Sequence, residues 1–121
     1  MKRGEVFECR LAPVEGTEQG GTRPAVVVSH DGMNAVLDRA IVVPLTTHRG
    51  RTLYPSHVLI RAPAGGLSRD SVALCDQVRV AAVSRLLRSR GSLPPPVMAA
   101  IDRALAASLG LPMEPPAGDG L

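Results

Sequence analysis

Short apolar runs, each closed within a few positions by turn residues, fill the first two thirds of this chain and exclude most fold classes. Gly4 to Leu11 mixes apolar and charged residues in near alternation through Val6, Phe7, Cys9 and Leu11. Within Pro24 to Ser29 the run Ala25, Val26, Val27, Val28 is unbroken, which predicts a strand covered on both faces. Ala40 to Leu45 is a third run, and its Pro44 implies that the ladder ends, bulges or reaches an edge there. Ser56 to Arg61 alternates through Val58 and Ile60, and Ala64, Gly65 and Gly66 mark a turn. Ser71 to Cys75 and Gln77 to Ala81 read as strands meeting near Asp76. Five or six short strands at this spacing predict a mainly β, α+β chain, built as a small barrel or sandwich and not as a parallel sheet.

Helical patterns are confined to three places. Asp31 to Leu37 starts on a capping-type Asp and suits one or two helical turns. Ser84 can cap a short helix through Leu87, with Arg85 and Arg88 one turn apart. Pro94, Pro95 and Pro96 open a longer helix in which Val97, Ile101, Leu105 and Leu109 repeat every four residues, ended by Gly110 and Pro112. Its apolar stripe must cover something, and the open side of a barrel is the expected surface. The 121 residues suit one core, burying roughly two thirds of the unfolded surface. Residues 1–111 are read as the domain and 112–121 as a disordered Pro/Gly tail.

Charge narrows the partners. Thirteen of the fourteen basic residues are arginine, and residues 39 to 90 hold nine of them against two acids, Asp70 and Asp76. Arginine's planar fork matches phosphate oxygens, so a polyanion is the natural partner, although a solvated basic face fits the same composition. No run of 18 apolar residues and no apolar leader occurs, and a soluble, cytoplasmic chain is expected. Cys9 and Cys75 lack metal-ligand spacing and read as free buried thiols.

Standard catalytic patterns are missing, and His30, His48 and His57 are scattered; His48 has the best functional claim, since it lies in a basic loop two residues after Thr46. No convincing metal-ligand set is found, so no metal or cofactor is expected. RNA permits such an economy, because its 2′-hydroxyl can attack the adjacent phosphorus if a site aligns it and stabilises the charge. Thr17, Thr22, Arg23, Thr46 and Thr47 supply the required donors. Arg23 precedes Pro24, which biases it to an extended conformation at the mouth of the strand. The loop Gly16 to Gly21 has glycines that let backbone amides approach a ligand. An ordinary hairpin loop would have the same composition.

Three segments carry a family resemblance: Arg3, Gly4, Glu5, Val6; Gly16 to Ser29 with Glu18, Gln19, Gly20, Gly21 and Arg23, Pro24; and Asp70, Ser71, Val72 followed by Cys75, Asp76, Gln77, Val78, Arg79. Between them, Val42, Val43, Pro44, Leu45 and Thr46 match a strand running into a threonine. The chain resembles the MazF/PemK/Kid toxins. The resemblance covers roughly residues 3–111 and implies an SH3-like barrel with a C-terminal helix. It also implies a homodimer that cleaves single-stranded RNA without metal, leaving 2′,3′-cyclic phosphate and 5′-hydroxyl ends, and that is neutralised by an acidic antitoxin.

By motif, Arg23 takes the catalytic arginine's phosphate and proton-transfer role, and Thr46 the catalytic threonine's oxyanion or hydroxyl-positioning role. The substrate contacts it implies are Thr17, Glu18, Gln19, Gly20, Gly21, Thr47, His48, Arg49, Arg51, Asp76, Gln77 and Arg79. Asp76 equally suits a turn residue bonding backbone amides. Kid-like members place a histidine where this chain has Thr17 and an arginine where it has Leu74, so that second apparatus is broken here. The loop Thr46 to Pro55, with Arg49, Arg51 and Tyr54, is the candidate lid for base choice. Two rivals remain: a CcdB-like gyrase-binding toxin, disfavoured because the chain has no tryptophan, and a non-catalytic RNA-binding barrel.

Overall fold

In the computed structural model, residues 1–11 and 21–113 are described. The predicted loop from Gly16 to Gly20 and the tail beyond Met113 lie outside them. The elements are β1 (Glu5–Arg10), β2 (Thr22–Val27), α1 (Asp31–Val36), β3 (Arg39–Thr47), β4 (His57–Ile60), β5 (Ser71–Leu74), β6 (Arg79–Ala82), β7 (Leu86–Ser92) and α2 (Pro95–Leu109), with 3₁₀ turns at Ala64–Gly66, Cys75–Gln77 and Val83–Arg85. The seven strands form an antiparallel sheet ordered β4-β5-β3-β2-β1-β7, with β6 alongside β3. That order leaves β4 and β7 as the outer strands of a small, barrel-like sheet.

β3 is the hub. Its first half, Arg39 to Val42, pairs with β6; its second half, Leu45 to Thr47, pairs with β5; and Val42 to Pro44 pair with β2. Pro44, which cannot donate to a ladder, falls where one neighbour is exchanged for another, so the strand is not ended by it. β2 is apolar throughout because the sheet is covered on both faces there. Val26 joins Val6, Val43, Leu45 and Ile60 in one cluster, whereas Ala25 and Val27 join Cys9, Leu11, Val42 and Ala81 in the other.

α2 closes the first cluster with Met98, Ile101 and Ala104. Its stripe is therefore wider than the fourfold repeat predicts, and Leu109 is left 58% exposed. Three prolines at its start cost nothing in lost donors, since the first amides of a helix have no intrahelical acceptor. Gly110 caps the other end in the left-handed conformation, φ 71°.

Three expectations are corrected. α1 is capped by His30, whose Nδ1 accepts the Gly32 amide at 2.9 Å; the Asp31 carboxylate instead accepts the Arg3 amide. The helix expected from Ser84 to Leu87 is a 3₁₀ turn running into β7. β7 zips onto β1 with two register shifts, through Arg90–Glu8 and Ser89–Glu5 contacts, and polar cross-strand pairs leave no apolar periodicity to read. Finally, Thr46 and Thr47 belong to β3, and the irregular loop begins at His48.

Ile101 is fully buried between α2 and the sheet. Ile101→Ala should cost about 2–5 kcal/mol, read as a lower urea midpoint; an unchanged midpoint would show that α2 does not close the core.

Candidate functional site

Strand register gathers the predicted reaction groups on one face. The β2–β3 ladder ends at Ala25 paired with Pro44, and Arg23 and Thr46 each lie two residues beyond that pair on their own strand. Cross-strand partners share a face, as do residues two apart along a strand. Arg23 thus shares its face with Ala25, and Thr46 with Pro44. Both Arg23 and Thr46 are half-buried, on paired strands: Arg23 opposite Cys9 in β1, Thr46 opposite Val72 in β5.

The same face continues across the sheet. Thr46, Val72 and Leu59 form one row over β3, β5 and β4, and His57 pairs with Leu74 two positions along. Farther back along β3, Arg79 pairs with Val42, and its Nη1 donates to the Leu11 carbonyl at 2.9 Å. Arg85 donates to the Arg10 carbonyl, and the Leu11 amide to the Gly21 carbonyl at 2.8 Å. The end of β1 and the start of β2 are therefore fastened together, so the segment between them leaves from a fixed base. Arg79, expected to contact substrate, has one guanidinium nitrogen committed to this fastening.

The remaining predicted residues fall as follows. Thr17, Glu18, Gln19 and Gly20 lie outside the described residues, while Gly21 and Thr22 are exposed at the mouth of β2. Thr47 pairs with Ser71. The His48 amide donates to the Asp70 carbonyl at 2.8 Å, pinning the start of the 48–55 loop, on which Arg49 and Arg51 are exposed. Asp76 stands exposed on the turn between β5 and β6, and Gln77 beside it is half-buried.

One grouping was not foreseen. Tyr54, Pro55, Ser56 and His57 form a turn closed by the His57 amide on the Tyr54 carbonyl at 2.8 Å, with proline at its favoured second position. His57 Nδ1 accepts the Tyr54 amide at 3.2 Å, and His57 Nε2 lies 3.9 Å from Asp76 Oδ1. The proline after Tyr54 was the available sequence signal for this turn; its link to Asp76 depends on the pairing of β4 with β5.

Both thiols are buried and free. Burial pushes Cys75 up to about 12, helped by the Asp76 and Asp102 charges, and raises Cys9 against the opposing pull of Arg79 and Arg85. Neither is suited to act as a nucleophile. Among the described residues, no three His, Cys, Asp or Glu side chains gather as a metal-binding group.

Asp70 secures the loop bases. Its carboxylate accepts the Ala62 amide at 2.9 Å and lies 3.1 Å from Arg61 Nη1. That backbone hydrogen bond, with the Arg61 guanidinium behind it, holds the carboxyl below its usual range.

A family model for the PemK-like, MazF-like toxin of type II toxin-antitoxin systems matches residues 2–109. Endoribonuclease EndoA of Bacillus subtilis is 40% identical over 111 residues, 92% of this chain and 96% of that protein. Endoribonuclease MazF9 of Mycobacterium tuberculosis is 40% identical over 116 residues, 92% of this chain and 98% of its own. Among solved structures, MazF of Deinococcus radiodurans superposes with a TM-score of 0.77 at 29% identity, covering 92% of this chain and 97% of that one. An endoribonuclease bound to its cognate antitoxin, from a mycobacterial species, gives 0.75 at 29% identity over 94% and 99%. The chain belongs to the PemK/MazF family of type II toxins, and its sheet with a C-terminal helix is the fold of those toxins. No helix among the described residues is long and apolar enough to cross a membrane.

Because folding lowers the Asp70 pKa, its stabilisation is complete above the unfolded value of about 4 and is lost as pH falls through the folded value. Asp70→Asn should therefore lower the urea midpoint at neutral pH, with the gap to the parent closing in acid. A gap of constant size from neutral pH to acid would contradict this.

Proposed function

We propose that this chain is a sequence-specific endoribonuclease toxin that makes single-stranded RNA cleave itself. The reading is supported by the β2–β3 ladder, whose end pair Ala25–Pro44 has Arg23 and Thr46 two residues beyond it on the same sheet face, in a chain whose curated relatives are named endoribonucleases. A guanidinium and a hydroxyl on adjoining strands can flank a single phosphodiester. The RNA 2′-oxygen forms a bond to phosphorus and gives up its proton. The P–O5′ bond breaks, and the departing 5′-oxygen gains a proton. A 2′,3′-cyclic phosphate and a 5′-hydroxyl result, and no outside co-reactant is consumed.

Arg23 offers its N–H groups to the charge that develops on the phosphoryl oxygens and to the 5′-oxygen, while Thr46 positions the attacking hydroxyl or bonds an oxyanion. Both groups sit on paired strands, which favours preorganisation over motion. Asp76, Gln77, Arg49 and Arg51 border this face from a turn and a loop, where they contact the RNA. The chemistry calls for no metal, so a chelator leaves the rate unchanged.

Removing one such donor commonly costs about a hundredfold or more in rate. Arg23→Ala and Thr46→Ala should each lose cleavage by that factor while keeping the parent's thermal midpoint. RNA carrying a 2′-deoxy sugar at the cut step should stay intact. Cleavage of that substrate, or a parental rate in either variant, would sink the assignment.

The toxin is read as a homodimer neutralised by an acidic antitoxin segment. Apolar side chains left in solvent at Val36, Ile41, Val80 and Leu87 support self-association, and the antitoxin-bound mycobacterial structure supports the second partner. Sedimentation should give twice the chain mass, and an acidic peptide from the neighbouring antitoxin should suppress cleavage. A monomer mass, or cleavage undiminished with the peptide bound, would remove the corresponding claim.

A further inference from the structure

The chain has one tyrosine, one phenylalanine and no tryptophan, which on composition argues against base stacking. The structure changes that balance. Phe7 is half-buried and lines an apolar cavity with Met1, Leu37 and Leu86. Tyr54 is 62% exposed, yet it is held firmly. Its carbonyl and amide are both bonded to His57, and the two rings meet edge to face at 5.5 Å between centroids, 66° between planes. An aromatic ring kept in water while its backbone is fixed forgoes burial and gains presentation.

We propose that Tyr54 is a base-stacking residue for single-stranded RNA and that His57 is its positioning residue. This rests on the ribonuclease reading above. Since His57 Nδ1 accepts the Tyr54 amide, the imidazole proton sits on Nε2 and points toward the Asp76 carboxylate. With a side chain only 11% exposed, the imidazole is a wedge between loop and turn. It couples the end of the 48–55 loop to the segment bearing Asp76 and Gln77.

The location fits the cleavage face. His57 shares its sheet face with Thr46, two strands across and two residues along, about 12 Å by strand spacing and rise. A base near the scissile step, splayed from its neighbours, can reach the tyrosine. Stacking on a ring already fixed loses little conformational freedom, and every base has a face to stack, so the platform adds affinity that the loop arginines can then bias.

The single tyrosine makes the test direct, because in a chain without tryptophan all emission excited beyond the phenylalanine absorption band reports on Tyr54. The full chain is titrated with a short random-sequence single-stranded RNA pool methylated at every 2′-oxygen, which binds without being cut, and filter retention is measured alongside. The expected result is saturable loss of tyrosine emission that follows retention. Tyr54→Ala should weaken retention by about tenfold or more, and Tyr54→Phe should keep it. His57→Asn, whose amide oxygen can replace Nδ1 as acceptor, should retain the parent's affinity, whereas His57→Ala should lose it.

RNA retained with unchanged emission, or Tyr54→Ala binding as the parent does, overturns the stacking role. Equal losses in His57→Asn and His57→Ala overturn the positioning role. Quenching without cleavage of unmodified RNA would keep Tyr54 as a platform and remove the ribonuclease. Absence of RNA binding would remove both.

Discussion

A single strand that changes partners holds the molecule together. Along β3, the residues before Pro44 bond to β6 on one side and those after it bond to β5, while β2 spans the exchange on the other. One continuous backbone therefore belongs to two small ladders at once. The two apolar clusters lie on opposite faces of the strands flanking that exchange, and a residue slipped by one position would send each side chain to the wrong cluster. The register that pairs Ala25 with Pro44, two residues from Arg23 and Thr46, is fixed by the same packing. The placement of Arg23 and Thr46 thus follows from strands whose neighbours form the core.

That dependence explains what could be read in advance. β2 was legible because burial on both faces leaves an unbroken Ala25 to Val28 run, and the turn before β6 was legible from Asp76. β7 was not, because its attachment is a set of polar pairs with a strand 80 positions away in sequence; hydrophobic periodicity has no means of recording that. The N-cap of α1 was misread for a related reason. Asp31 is the better intrinsic cap, but Arg3 claims its carboxylate from across the fold, and His30 takes over. Arg23 and Thr46 could be named as donors from the sequence, whereas the pairing of their strands needed the register, and the approach of His57 to Asp76 needed β4 paired with β5.

The basic surplus also changes meaning once its contacts are known. Of the nine arginines between residues 39 and 90, Arg61, Arg79, Arg85 and Arg90 bond protein carbonyls or carboxylates, and Arg39 pairs with Asp38. Much of the charge that composition offers to a polyanion is employed in closing the ends of strands and loops. Arginine suits that work because its several donors can satisfy carbonyl oxygens that no ladder reaches. The remaining four, Arg49, Arg51, Arg69 and Arg88, are exposed, and the first two stand on the 48–55 loop.

The residues proposed for reaction and those proposed for recognition consequently stand on structures of different stiffness. Arg23 stands in the β1–β2 ladder and Thr46 in the β3–β5 ladder, where shifting either one means disturbing ladder pairing. Arg49, Arg51 and Tyr54 stand on a loop fastened at its ends, by the His48 amide on the Asp70 carbonyl and by the Tyr54–His57 turn, where the Cys75 amide donates to the Ser56 carbonyl at 3.0 Å. Side chains between those fastenings can change without disturbing the sheet, so base preference can drift while the phosphodiester chemistry stays in place. A fold with this division can separate the residues proposed for reaction from those proposed for recognition, because the first stand in strand ladders and the second on a loop between them.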